Sequence, residues 1–89
     1  MNRCLSITIM GHVQGVGFRY HALNKAKEIE INGFVRNQPD GTVYIEIEGD
    51  EDRLDQFIDW CRVGPRWANI DSIEVNTIEC RNYSGFSVK

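Results

Sequence analysis

The apolar residues of this chain change their spacing several times along its length, and each change marks an element. Leu5, Ile7 and Ile9 alternate with Ser6 and Thr8, the period of two expected of a strand with one buried face, so a first strand is predicted over Leu5 to Met10. From about Tyr20 to Glu28 the period lengthens: Phe18, Ala22, Ala26 and Ile29 fall on one helical stripe between His21, Asn24, Lys25 and Lys27. A helix laid on one sheet face follows. Gly33 to Asn37 and Thr42 to Glu48 return to strand spacing, with Val43, Ile45 and Ile47 as the inward row. Between them Pro39 presets a turn and Asp40-Gly41 supplies the positive φ it needs, so these strands are predicted to pair antiparallel. Asp50 is placed to cap a second helix in which Leu54, Phe57, Ile58 and Cys61 recur at helical spacing, and Gly64-Pro65 stops it. Ile70 to Ile78 reads as a fourth strand, and after a turn at Arg81 to Gly85, Phe86-Ser87-Val88 reads as a short last one.

The order βαββαββ predicts an α+β sandwich of the ferredoxin-like type, with both helices on one face of a mixed or antiparallel sheet. A length of 89 residues, 42% of them apolar and 26% charged, holds one soluble globular core, so residues 1–89 are read as a single domain. The net charge of −3 and a pI near 5.3 argue against a nucleic-acid partner, which needs a basic face to neutralise phosphates. Polar residues interrupt the apolar ones near the N-terminus, leaving neither a signal-peptide core nor a membrane span. A cytoplasmic protein with no membrane partner is expected. Cys4, Cys61 and Cys80 are odd in number, far apart and without CxxC spacing, which indicates neither a disulfide framework nor a zinc site. Three reduced, mostly buried thiols are expected.

Chemistry concentrates in Gly11-His12-Val13-Gln14-Gly15-Val16-Gly17-Phe18-Arg19-Tyr20, where glycines run into an arginine at a predicted strand-to-helix junction. Glycine lets backbone amides converge on a ligand, a helix start adds unpaired N–H groups and the positive end of its dipole, and Arg19 brings a planar fork of donors. The expected guest is a phosphate or carboxylate. A nucleoside triphosphate is excluded, because Gly17 is followed by Phe18 and Arg19 and not by the Lys and Ser/Thr that hold outer phosphates and Mg²⁺. A dinucleotide is excluded by Tyr20, where a third small residue would be needed, and by the length of the chain. Taken alone, the glycines could equally serve a tight connection. Asn37 closes the strand before the hairpin turn, and its amide could bridge backbone groups across that turn or hold a water molecule.

The block Gly11-His12-Val13-Gln14-Gly15-Val16-Gly17-Phe18-Arg19, followed by Gly33-Phe34-Val35-Arg36-Asn37, Asp40-Gly41-Thr42-Val43, Gly49, Gly64-Pro65 and Gly85-Phe86, resembles the acylphosphatase family over essentially the whole chain. The resemblance implies the ferredoxin-like sandwich and hydrolysis of the carboxyl–phosphate bond of a small-molecule acyl phosphate, with no metal and no cofactor. It also implies that the loop amides of Gln14, Gly15, Val16, Gly17, Phe18 and Arg19, with the Arg19 guanidinium, hold the phosphoryl oxygens. Asn37 would orient the attacking water. A monomer is expected.

One position departs from the family pattern: the first helix ends in Glu30-Ile31-Asn32-Gly33, with Glu30 where a glycine is usual. Either Glu30 takes a left-handed conformation at a cost of about 1 kcal/mol, or Asn32 or Gly33 makes the turn.

The chemistry explains what the sequence lacks. A carboxylate leaving group is stable as an anion and needs no general acid, and phosphoryl transfer rests on positioning and charge stabilisation. No Ser-His-Asp, Cys-His or HExxH arrangement is found, and none is required. His12 in the loop and His21 on the helix are read as solvated or packing residues, and Arg36 as pointing away from Asn37. Trp60 and Trp67 are read as an aromatic seal over the core, and Asp50-Glu51-Asp52 as helix capping. Two alternatives compete. The same scaffold could be a non-catalytic anion-binding module, as acylphosphatase-like domains are at the start of larger hydrogenase-maturation carbamoyl-transfer proteins. RNA-binding domains share the layout, but the acidic charge and the lack of an exposed basic-aromatic run oppose that reading.

Overall fold

The alternation of Leu5, Ile7 and Ile9 sits in the middle of a longer strand, β1 (Arg3–His12), in a computed structural model that describes residues 2–89. β1 pairs antiparallel on one side with β3 (Val43–Gly49) and on the other with β4 (Asn69–Thr77). β2 (Asn32–Asn37) pairs antiparallel with β3, and the short β5 (Phe86–Val88) lies parallel to β2 at the edge. The sheet order is β4-β1-β3-β2-β5, a mixed sheet with α1 (Phe18–Ile29) and α2 (Glu51–Val63) packed on one face. The predicted α+β ferredoxin-like fold is what forms.

The rows read from the sequence are the core. Ile7, Ile9, Val43, Ile45 and Ile47 are fully buried against Phe18, Ala22, Ala26, Phe57 and Cys61 of the helices. Each large aliphatic side chain so buried contributes about 1.5–3 kcal/mol. Trp60 seals this core as expected, its ring centroid 5.3 Å from that of Phe18 and 5.7 Å from that of Phe57. Trp67 does not. It is 71% exposed, with the Arg66 guanidinium over its ring, because it lies on the loop beyond α2 and not on the helix's buried stripe.

The other sheet face is partly covered by the chain between β4 and β5, residues 78–85, which travels from one edge of the sheet to the other. The Tyr83 hydroxyl donates to Glu46, its backbone N–H donates to Glu48 at 3.0 Å, and the Asn32 amide donates to its carbonyl at 3.1 Å. Burial of Glu46 pushes its carboxyl toward the neutral form, but hydrogen bonds from Tyr44 and Tyr83 and the charges of Arg81 and Arg36 outweigh it. The net effect holds the carboxyl below the ordinary glutamate value. Burial and the bond to Glu46 push the Tyr83 phenol up to about 12.

The expectation of three reduced thiols is corrected here. Cys4 and Cys80 form a disulfide across 76 residues of sequence, with Cα atoms 5.2 Å apart, and only Cys61 is free and buried. The reason is tertiary: β4 runs back along β1 until the Ile78 N–H reaches the Cys4 carbonyl at 3.0 Å, and Cys80 then arrives above Cys4. No local spacing signals such a pair. Among the described residues, no helix is long and apolar enough to cross a membrane.

The exit of α1 is settled in favour of Glu30, at φ 65° and ψ 49°. Its N–H bonds the Lys27 carbonyl at 3.2 Å, and the Ile31 N–H reaches the Ala26 carbonyl at 3.0 Å, the paired bonds of a Schellman turn. Ile31 is then carried into the core.

Candidate active site

Chain direction brings the site residues together. β1 and β2 each run antiparallel to β3, and β5 runs parallel to β2, so all three finish at the same end of the sheet. Ile9 of β1 and Asn37 of β2 lie level with one another, both opposite Val43. The glycine loop that follows β1, the N-terminus of α1, Asn37 and the end of β5 therefore share one corner. Open sheets commonly bind ligands beyond the carboxyl ends of their strands.

The loop itself is built from two kinds of glycine. Gly11, at φ 135°, sits at a bulge where β1 and β4 shift register, and a Cβ there would lie 2.1 Å from the Asn69 carbonyl oxygen. It serves the strand pairing, and His12 beside it ends β1 as an exposed residue and is not in the loop. Gly17 instead sits at φ 77° and ψ 17° as the residue capping α1, so the helix begins at Phe18, two residues earlier than the apolar stripe predicted. No side chain caps this terminus and no acidic residue occupies its first turn. α2 is the contrast: the Asp50 carboxylate accepts the Arg53 N–H at 2.9 Å, and Glu51 and Asp52 follow. One helix has its own anions at its N-terminus, and the other keeps its amides and dipole free for an external one.

A cavity of about 390 Å³ opens at this corner. Gly15, Gly17, Arg19 and Asn37 form the polar part of its lining. Val13, Phe18, Tyr20 and Val88 form the apolar part. Gln14 and Val16, also expected to contribute loop amides, are outside this lining, and Val16 packs against the core.

Arg19 is half-buried, and its Nη1 donates to the Lys89 carbonyl at 3.1 Å. Lys89 is in turn fixed by its N–H to the Val35 carbonyl at 2.8 Å. One donor of the guanidinium thus steadies the side chain against β5, and the others remain for a ligand. Asn37 lies before a tightly bonded turn: the Gln38 N–H reaches the Thr42 carbonyl at 2.9 Å, and Asp40 accepts from both the N–H and the hydroxyl of Thr42. These two bonds hold the exposed Asp40 carboxyl below its usual range. The Asn37 carboxamide takes no part in closing the turn.

The bridge across the hairpin is made by a residue that sequence reading had credited only with an amide. Gln14 Nε2 donates to the carbonyls of Gln38 at 2.7 Å and Thr42 at 2.9 Å, tying the loop directly to the turn that carries Asn37. A glutamine in a glycine-rich loop has no local partner, and that was the available signal. Arg36 points to the opposite sheet face as expected, with its guanidinium over the rings of Phe34 and Tyr44.

The chain that forms this corner is matched along its length by known proteins. The acylphosphatase family model covers residues 5–88. The chain belongs to the acylphosphatase family. It is 45% identical over 84 residues to the acylphosphatase of Archaeoglobus fulgidus, covering 94% of each chain. The solved acylphosphatase of Bacillus subtilis superposes with a TM-score of 0.95 at 32% identity, over 100% of this chain and 99% of that one. HypF of T. kodakarensis matches at a TM-score of 0.86 and 33% identity, over 100% of this chain but only 12% of its own. Membership makes this an acylphosphatase-type hydrolase of acyl phosphates.

Proposed function

We propose that this acylphosphatase works by direct attack of water on a phosphoryl group held by Arg19 and the loop amides of residues 14–19, with Asn37 orienting the water. The observation that carries the reading is the uncapped N-terminus of α1 opening into the same cavity as Arg19 and Asn37. The water oxygen bonds to phosphorus as the bond from phosphorus to the acyl oxygen breaks. The carboxylate leaves with the electron pair, and the water's proton passes to the phosphate product. A leaving group that is already a stable anion requires no acid, and charge on the equatorial oxygens is met by the guanidinium and amides. The site is assembled from one chain, which supports a monomer as the working unit. The cytoplasm is the proposed setting, and there reducing conditions act on the Cys4–Cys80 bond.

The test is release of inorganic phosphate from acetyl phosphate by the purified protein in the presence of a chelator. Turnover unaffected by chelator is expected. Turnover abolished by chelator would refute the mechanism. No turnover at all would leave a second reading standing, that of an anion-binding module, which is favoured by the match to a small part of the much longer HypF.

A further inference from the structure

Two buried glutamates lie on the sheet face crossed by residues 78–85, and their surroundings differ. Glu46 accepts from the hydroxyls of Tyr44 and Tyr83 and has the Arg81 guanidinium 4.0 Å away. Glu48, 8% exposed, has among the described residues a single hydrogen bond, from the Tyr83 N–H at 3.0 Å, and no ion pair. Buried charges are normally held by a partner charge or by a metal. What Glu48 has beside it is sulfur. The register of β1 on β3 sets Cys4 directly opposite Glu48, and Cys80 closes onto Cys4 from the start of the 78–85 segment. Both sulfur atoms and a carboxylate oxygen of Glu48 lie within 4.8 Å of one another.

In the oxidised protein the two sulfurs bond each other and coordinate nothing. Reduction by a dithiol delivers two electrons and two protons: the S–S bond breaks, Cys4 and Cys80 become thiols, and the dithiol is oxidised to a disulfide. A cation then displaces both thiol protons to solvent and takes two thiolates and one carboxylate. These are three donors of a four-coordinate set, and water completes it from the open side, where Cys80 is exposed. Zinc–sulfur bonds of about 2.3 Å in a tetrahedral site put the sulfurs about 3.8 Å apart. Cα atoms 5.2 Å apart allow that spacing by side-chain rotation, and with Cys4 buried it is the exposed Cys80 that has room to turn. Thiolates select a thiophilic ion over Mg²⁺ or Ca²⁺. The Tyr83 N–H supplies the outer contact that orients a ligating carboxylate.

We propose that Cys4, Cys80 and Glu48 form a redox-gated site for one thiophilic divalent cation of the Zn²⁺ class, closed as a disulfide under oxidising conditions and open to the metal under reducing ones. In either state the start of the 78–85 segment is pinned to β1. The site lies at the beginning of β1 and the phosphoryl site beyond its end, with roughly 25 Å of strand between them. The cation is therefore structural and enters no step of hydrolysis.

The experiment titrates Zn²⁺ and, as a coloured probe, Co²⁺ into the protein reduced with a phosphine, which avoids adding a competing dithiol ligand. One ion per chain should bind, and Co²⁺ should give a thiolate-to-metal charge-transfer band. Zn²⁺ at a hundredfold excess over Kd should raise the Tm of the reduced protein by at least about 5 °C. Oxidised wild type and reduced Cys80→Ser should show neither effect. Glu48→Gln should bind at least about tenfold more weakly, a loss usual even for an outer partner of a metal. Absence of the band in the reduced wild type, or equal binding by the reduced, oxidised and Cys80→Ser proteins, overturns the site. Unchanged affinity in Glu48→Gln overturns the role of the carboxylate.

Discussion

Glu30 carries a strain that a single substitution should relieve. It is held at φ 65°, and for a residue with a Cβ the left-handed conformation costs about 1–2 kcal/mol. Glycine takes this conformation freely, but it also enlarges the conformational freedom of the unfolded chain, which returns about 0.4–1 kcal/mol. Glu30 is exposed and its side chain makes neither a hydrogen bond nor an ion pair among the described residues, so little else is lost. Glu30→Gly is therefore expected to stabilise the protein by about 0.5–1 kcal/mol. For a domain of this size, that raises Tm by about 2–8 °C. Urea unfolding followed by circular dichroism should show a higher midpoint with an unchanged m-value. A carboxylate at a helix C-terminus is itself mildly unfavourable, so Glu30→Gln serves as the control: it removes the charge and keeps the strain. If Glu30→Gly were no more stable than Glu30→Gln, the strain argument would be wrong.

Arg19→Ala should lower kcat/KM by at least about 10³-fold and abolish competitive inhibition by phosphate, and Arg19→Lys should restore little, since an ammonium cannot reproduce the fork. Asn37→Ala should lower kcat by about 10²-fold while phosphate inhibition persists. Equal loss of phosphate binding in the two alanine variants would contradict the division of roles. Reducing the Cys4–Cys80 disulfide releases a constraint across 76 residues, for which the chain-entropy estimate is about 4.5 kcal/mol and the usual observed loss is about 2–4 kcal/mol. Calorimetry should then show Tm lower by about 10 °C or more in reductant, with Cys80→Ser behaving as the reduced protein in either condition. The same Tm with and without reductant would refute a stabilising role for the bond.

The junction of glycine loop, helix start and arginine was legible in the sequence because its signal is local, and the structure places Gly15, Gly17 and Arg19 in one cavity at the uncapped start of α1. Asn37 was legible as a residue but not by its own pattern, since a strand-terminal amide suits a bridge or a water equally. The structure assigned the bridge to Gln14, whose partners lie 24 and 28 residues away. Gly11 was grouped with the cradle because spacing cannot separate a glycine that lets a ligand approach from one that lets a neighbouring strand approach.

By itself the sequence determined every element, the inward rows of β1, β3 and the helices, and the chemical character of the loop, because periodicity, capping and turn chemistry act over a few residues. Tertiary structure alone decided what depends on distant segments meeting. The parallel placement of β5 beside β2 brings Lys89 to Arg19, the return of β4 along β1 brings Cys80 to Cys4, and the shared direction of β1, β2 and β5 gathers the site at one corner. These contacts join residues up to 76 positions apart, and no local pattern encodes them.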